Sequence, residues 1–528
     1  MSEIRMTVQH STTALDATTA LDAATALHAT RQVHAGELVM VDIRGTTLDG
    51  EQADFLRRNR IRAVCLFRAN LGSEDEIRRL LADLAEVLGP RALIGIDQEG
   101  GAVVRTMVVP HAPSAMSLGA TGDPALAEAV GAAVARGLAS LGFNWDFAPV
   151  LDVNNNPANP VIAVRSFSSD PDAVTRLAGA WMRGALREGV ACCVKHFPGH
   201  GDTHVDSHLA LPVVDKPRAA LERCELLPFR ALAGEAPAMM TAHIVYPQID
   251  PAHPATLSAA VLDGILRREF GYRGVVITDA LSMEAVRARY GHARAAVMTL
   301  AAGADMAMAL GTPEEQEAAL RAIDAARADG SLAAARMAEA CARLDALAQC
   351  YPARPRGYPP ALREADAALM REAWLRGLCA TNGASPPTPG RPLRVVTQGA
   401  VGGDGVSEPG VEASRVRALF ASFAGTEFVE AERLTDFDWS TLPRDNRFTI
   451  LVSNHKQRYG AHGATFTPDL HLSLWNAFQM FDVAAPTVAT WGFADAALEA
   501  LRLWLEGKAE ARGKGPFPLP VHAAGSAH

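Results

Sequence analysis

A chain of 528 residues is too long for one ordinary hydrophobic core and predicts two domains. With 49% hydrophobic and 21% charged residues it is globular rather than disordered, and a net charge of −9 argues against nucleic acid as the main partner. Seven scattered cysteines without a Cys-x-x-Cys pair fit a reducing compartment and supply no structural zinc site.

Residues 1–35 read as a low-complexity N-terminal tail. From Thr13 to Thr30 a six-residue unit recurs as TALDAT, TALDAA and TALHAT; six is neither a helical nor a strand period. The first residues lack the charged start and apolar stretch of a secretory signal. No apolar run reaches the roughly 20 residues that span a bilayer. A cytoplasmic protein with no membrane partner is expected.

From residue 36 the chain alternates strand and helix patterns. Strands are expected at 38–43, 63–67, 93–97, 144–148, 191–195, 238–243, 275–279 and 305–309. Helical periodicity falls between them at 73–88, 124–140, 171–188, 258–270 and 283–302. Asp123-Pro124 and Asp170-Pro171 each place an acidic cap before a helix-opening proline. Eight strands in this span match an α/β fold of the (β/α)8 TIM-barrel type, over residues 36–350. An open doubly wound sheet is the alternative, but it would gather polar residues at one switch point, whereas here they follow many strands. No Gly-x-Gly-x-x-Gly follows the first strand, which speaks against a dinucleotide site.

A helical pattern at 313–349 closes the first unit; residues 351–392 then form a helical and Pro-rich linker, with a helical pattern at 360–378 and a stiff segment at 384–390. Residues 393–520 then show a smaller three-layer α/β domain. Its strands are expected at 393–397, 427–430, 449–453 and 487–491, and its helices at 414–423, 470–481 and 494–506. His455, Lys456, Arg458 and Tyr459 follow one of these strands, as either a solvated loop or a cover over the site.

Chemistry concentrates at three strand ends. Lys195-His196-Phe197-Pro198-Gly199-His200-Gly201-Asp202-Thr203-His204-Val205-Asp206-Ser207-His208 packs titratable side chains into a loop after a buried strand. Two more apolar runs end abruptly in Asp97 and in Asp279. A carboxylate there also suits helix capping. Three polar strand ends together point to one shared site at the carboxyl end of a parallel barrel.

The loop from Lys195 to Gly201, with Asp206-Ser207-His208, resembles the signature of family-3 glycoside hydrolases of the bacterial β-N-acetylglucosaminidase (β-hexosaminidase) type. Further motifs fall in the family's order. They are Ile96-Asp97-Gln98-Glu99-Gly100-Gly101 with Arg105, Phe147 to Val153, Arg165-Ser166-Phe167, Val276 to Met283, and Ala302 to Met306. The family often has Gly-Asp before the arginine of Arg-Ser-Phe, where this chain has Ala163-Val164.

The resemblance implies retaining hydrolysis of terminal β-linked N-acetylglucosamine, with cell-wall muropeptide recycling as the best-known setting. It implies Asp279 as nucleophile and His208 as acid/base, with Asp206 hydrogen-bonded to the other imidazole nitrogen. Asp97, Arg105, Arg165, Lys195 and His196 are implied to hold the sugar. A carbohydrate substrate and no cofactor or metal are expected. His200, His204 and His243 are expected to support these groups by hydrogen bonds. A phosphorylase, or a β-glucosidase or xylosidase of the same family, is the alternative.

Overall fold

The computed structural model describes residues 32–204, 211–403 and 407–520; the repeat at 13–30, Asp206 and His208 lie outside them. Eight strands form one parallel sheet: Val39–Val41, Ala63–Leu66, Leu93–Ile96, Trp145–Asp146, Ala191–Phe197, Ala238–Thr241, Val275–Thr278 and Ala307–Met308. Neighbours in sequence are neighbours in the sheet, and Ala307–Met308 pairs back to Val39–Val41. A parallel bridge between Ile277 and Met306 closes the circle. The expected barrel is therefore present.

Its strands are shorter than their apolar runs. The runs continue into the loops because residues at both strand ends remain buried. The strands are buried on both faces, which is why they read as continuous Val, Ile and Leu.

Helix boundaries follow their chemistry. Asp123 caps Pro124–Leu141 by accepting from the amides of Ala125 and Leu126, and Gly142, at φ 114°, ends it. Asp170 caps Pro171–Arg187 in the same way. Two expectations need correction. The single helix expected at 283–302 is two, Glu284–Tyr290 and His292–Ala302, because Gly291 takes φ 74° and ψ 144° and breaks the winding. The segment at 258–270 winds as a π-helix over Ala260–Glu269.

The second sheet has six strands in the order Cys379–Thr381, Thr487–Ala489, Leu470–Ser473, Phe448–Ser453, Leu393–Gln398 and Glu427–Ala431. All pairs are parallel except the first, which is antiparallel. The helix expected at 470–481 is instead a central strand, Leu470–Ser473, followed by a 3-10 turn, Ala477–Phe481. Its apolar spacing suits either period, and flanking strands on both sides decide it by taking up its backbone hydrogen bonds.

Alternate residues face opposite layers. Val395, Ile450 and Val452 pack with the helices Ala413–Leu419 and Asp495–Leu505, while Val396 and Leu451 pack beneath short 3-10 turns. The two units share a core: Ala102, Met116, Ala120, Ala163 and Val164 of the first lie in one apolar cluster with Trp491, Phe493 and Phe517 of the second. Hydrogen bonds cross the seam from Ser114 Oγ to the Trp491 carbonyl at 2.7 Å and from the Glu408 amide to the Ala102 carbonyl at 2.8 Å. Among the described residues no helix is long and apolar enough to cross a membrane.

Candidate active site

The strand-end residues converge. Asp97 directly follows Leu93–Ile96, Lys195 and His196 are among the last three residues of the strand Ala191–Phe197, and Asp279 directly follows Val275–Thr278. Arg165 ends the 3-10 turn Ala163–Arg165 beyond the fourth strand. Together with Arg105 these side chains line one cavity of about 220 Å3, which Phe67, Glu99, Met240, Met283 and Met308 also border. All the site residues expected from sequence that fall within the described residues are thus brought to one place, at the carboxyl end of the barrel.

A charge network forms the cavity wall. Lys195 Nζ donates to Asp97 Oδ1 at 2.6 Å and lies 2.7 Å from Glu99 Oε1. Arg165 grips Glu99 in a fork, Nε to Oε2 at 2.9 Å and Nη2 to Oε1 at 2.7 Å. Arg105 Nη2 stands 3.7 Å from Asp97 Oδ2, too far for a hydrogen bond but close enough for charge attraction. Gln98 sets that loop, accepting from the Arg105 amide at 2.9 Å and donating to the Thr106 carbonyl at 2.9 Å.

Burial alone would raise the Glu99 carboxyl, but Arg165 and Lys195 hold it well below the usual carboxylate range. Burial would likewise lower Lys195, yet Asp97 and Glu99 hold its ammonium above its ordinary value. Glu99 and Lys195 are therefore charged at neutral pH, and their hydrogen bonds are in place before any ligand arrives.

His196 is oriented from behind. Its Nδ1 lies 2.6 Å from Asp152 Oδ2, and its backbone amide donates to Asp152 Oδ1 at 3.1 Å. The His200 amide donates to the same oxygen at 2.7 Å. Burial works against the Asp152 charge, but the His196 ring and these donors hold its carboxyl below the usual range. Nε2 of His196 is left on the side of Arg165 Nη2, 3.5 Å away.

Beneath the network, burial pushes the Asp146 carboxyl up to about 8; its Oδ1 accepts from the Gln98 amide at 3.0 Å, and its Oδ2 has no hydrogen-bond partner among the described residues. Burial and the neighbouring His196 push His200 down to about 4, and its Nδ1 meets Thr203 Oγ1 at 2.9 Å. His243 bridges Thr256 Oγ1, at 2.8 Å, and the carbonyl of Ala280, at 3.0 Å, the residue after Asp279.

A family model for the glycosyl hydrolase family 3 N-terminal domain matches residues 30–347, more than half of the chain. The chain belongs to glycosyl hydrolase family 3. A β-hexosaminidase of Alkalilimnicola ehrlichii is 40% identical over 291 residues, 54% of this chain and 83% of that one. A family-3 β-N-acetylglucosaminidase of Paenibacillus sp. FPU-7 superposes with a TM-score of 0.82 at 32% identity, covering 93% of this chain and 99% of that one. A β-glucoside phosphorylase superposes with a TM-score of 0.78 at 23% identity over 95% and 96% of the two chains, which speaks to the fold alone. The protein is a glycoside hydrolase, and its charged cavity lies inside the matched family-3 domain.

Three residues of this family-3 site escape a reading of sequence alone: Glu99, Asp152 and Asp146. Glu99 and Asp152 sit inside the motif segments, but the arginine that grips Glu99 lies 66 positions away and the histidine that meets Asp152 lies 44 away. One signal was available. A lysine inside a buried strand needs carboxylates around it, and Glu99 is the next acid after Asp97. Among the described residues, no group of three or more His, Cys, Asp or Glu converges as a metal site.

Proposed function

We propose that this protein is a retaining exo-β-N-acetylglucosaminidase that removes terminal β-linked N-acetylglucosamine. The observation that carries the reading is the one cavity of about 220 Å3 that Asp279 lines together with Asp97, Arg105, Arg165, Lys195 and His196. Polyol recognition needs charged acceptors and donors already held in place, and the Asp97–Lys195–Glu99–Arg165 network supplies both.

In this reading Asp279 attacks the anomeric carbon and forms a glycosyl ester. His208 gives its proton to the leaving oxygen and later takes one from water, with Asp206 orienting its ring. Asp97, Arg105, Arg165, Lys195 and His196 bind the sugar. The sequence kinship to β-hexosaminidases supports the choice of an N-acetylated sugar. The resemblance to bacterial cell-wall enzymes makes a muropeptide-derived saccharide the first natural substrate to try. The catalytic unit is proposed to be residues 36–350, with 393–520 as a second unit.

The test compares aryl β-N-acetylglucosaminide with aryl β-glucoside, each with and without phosphate. Preference for the N-acetylated substrate and indifference to phosphate is the expected result. Accumulation of a sugar 1-phosphate would replace hydrolysis by phosphorolysis, and a preference for glucoside would overturn the substrate class.

A further inference from the structure

The second unit holds the chain on both sides of Arg165. Before it, Ala163 and Val164 share an apolar cluster with Ala477, Phe478 and Met480. The turn Ala163–Arg165 packs there against the second unit's turn Ala477–Phe481, and Val164 is buried. After it, the Pro516 carbonyl accepts from Ser168 Oγ at 2.7 Å and from the Ser169 amide at 3.1 Å. Phe517, the next residue, stacks on Phe478 with ring centres 4.6 Å apart, so the two grips are joined.

The turn Ala477–Phe481 is itself held firmly. Asn476 caps it by accepting from the Phe478 amide at 3.1 Å, and donates to the Lys456 carbonyl at 2.7 Å. Gln479 donates to the carbonyls of His455, at 3.1 Å, and Gln457, at 2.7 Å. At the turn's end, Arg458 Nε and Nη2 each reach one oxygen of the Asp482 carboxylate at 2.5 Å, and Nη1 donates to the Pro157 carbonyl of the barrel at 2.8 Å. Residues 455–459 are therefore neither a solvated loop nor a cover over the site. His455 and Tyr459 are buried, and none of the five lines the cavity. They back the turn that meets the one carrying Arg165.

The other partner of the Arg165 fork is reached too. Ala102, three residues after Glu99, lies in the same apolar cluster, and its carbonyl accepts from the Glu408 amide at 2.8 Å. Glu99, Ala102, Val164 and Arg165 border one void of about 10 Å3, no larger than a single water needs. The fork fixes Arg165 relative to Glu99. Both residues stand beyond the ends of barrel strands, so the fork alone does not fix the pair relative to Asp279. From the barrel side, Asn159 Oδ1 accepts from the Val161 and Ile162 amides and Asn154 Oδ1 from that of Ala163. From the opposite side the second unit supplies the backing.

We infer that Val164 is a positioning residue: packed against the second unit's turn Ala477–Phe481, it seats the turn that presents Arg165 to the cavity, so the second unit takes part in capturing the sugar. The inference rests on the reading of Arg165 as a sugar-binding residue given above. Loosening this contact therefore weakens capture of the sugar more than attack by Asp279.

The experiment measures kcat and KM for aryl β-N-acetylglucosaminide, and inhibition by N-acetylglucosamine, on full-length V164A, F478L, V416A and R165K and on the V164A/F478L double variant. Melting curves accompany each. V164A should raise KM and the inhibition constant about threefold to thirtyfold, short of the roughly hundredfold cost of a group misplaced by 1 Å, with kcat within about twofold of wild type. F478L should act likewise from the other side of the seam. The double variant should lose less than the product of the two single losses, as expected of residues in one packed unit. Val416 lies in the same cluster, on the helix Ala413–Leu419 that packs on the second unit's own sheet. V416A should lower the melting temperature and leave KM unchanged, which separates positioning from general stability. R165K keeps the charge without the fork and marks the loss when Arg165 itself is altered. If V164A does not fold, F478L carries the same comparison. Unchanged KM in V164A or F478L, a loss confined to kcat, or an equal rise in V416A overturns the inference while R165K still weakens sugar binding. If R165K binds the sugar as wild type does, or wild type leaves the substrate intact, the functional reading fails and the positioning role falls with it.

Discussion

The barrel carries a buried charge cluster at each end, and the two are built to different rules. At the mouth, two carboxylates, Asp97 and Glu99, meet Lys195 and Arg165, with Arg105 standing off. At the floor one fully buried carboxylate, Asp305, meets Arg267, Arg336 and Arg343, with the more exposed Glu339 also bridging Arg336. Asp305 is 0% exposed and uses both oxygens fully: Oδ1 takes Arg336 and Arg343, and Oδ2 takes Arg267 and the Val276 amide. Asp97 remains 18% exposed and borders the cavity, with Oδ2 still 3.7 Å from the nearest arginine nitrogen. A sealed cluster is a clamp between helix and strand. An unsaturated one beside a cavity can exchange its remaining valence with a ligand's hydroxyls. Burial and charge are common to both; the difference lies in whether acceptors remain to be used.

Substitutions at the two ends should therefore separate activity from stability. Asp279→Asn at the mouth is expected to reduce kcat by about 10^4-fold or more, on the scale of losing a catalytic nucleophile, with little change in melting temperature. Detection of a trapped fluoro-sugar adduct on another residue would remove Asp279 from that role.

Asp305→Ala at the floor is expected to do the reverse. Leaving three mostly buried arginines without the Asp305 carboxylate costs about 3–5 kcal/mol of stability, read from denaturant midpoints. Turnover per folded molecule should stay near wild type in mild conditions. A specific loss of turnover in folded Asp305→Ala would erase the distinction between the two clusters.

Asp146 lies under the mouth and tests it by pH. Its folded carboxyl is raised to about 8 from an ordinary 3.8, chiefly by burial. The folded protein therefore holds a proton that the unfolded chain releases between these values. The stability this contributes is complete below about pH 4 and is lost as pH rises through about 8, at up to about 1.4 kcal/mol per pH unit. Asp146→Asn imitates the neutral acid and should flatten the melting temperature against pH in that window. An unchanged slope would show that the carboxyl is already ionised at neutral pH.

The smallest effect belongs to Ala163. Its φ of 42° is a conformation that glycine adopts without cost, and its methyl lies in the apolar cluster shared with the second unit. Relief of roughly 1 kcal/mol of backbone strain is offset by about 0.8 kcal/mol from the lost methyl burial. Ala163→Gly should thus move stability by less than about 1 kcal/mol in either direction. A larger loss would mean that the methyl holds the two units together. Val164 packs in the same cluster, so the chain's departure from Gly-Asp at 163–164 coincides with contact to the second unit.

By itself the sequence determined the barrel strands, their order and the residues at their ends. Those depend on local patterns: an apolar run of strand length, a polar residue where it stops, and a helix cap before the next proline. Asp97, Lys195, His196 and Asp279 were legible for this reason, and Arg105 and Arg165 through the motif order. The tertiary structure alone decided which carboxylates face a cavity. Asp305 and Asp97 both flank barrel strands, but one precedes its strand at the floor and the other follows its strand at the mouth. It also decided Leu470–Ser473, whose apolar spacing fits two periods until strands on either side claim its amides. Glu99 and Asp152 gained their roles only when partners distant in the chain were folded onto them. Arg458 meets the barrel only because an apolar seam brings the two units into contact. Local periodicity is encoded within a few residues, whereas the partner of a buried charge is fixed by the whole topology.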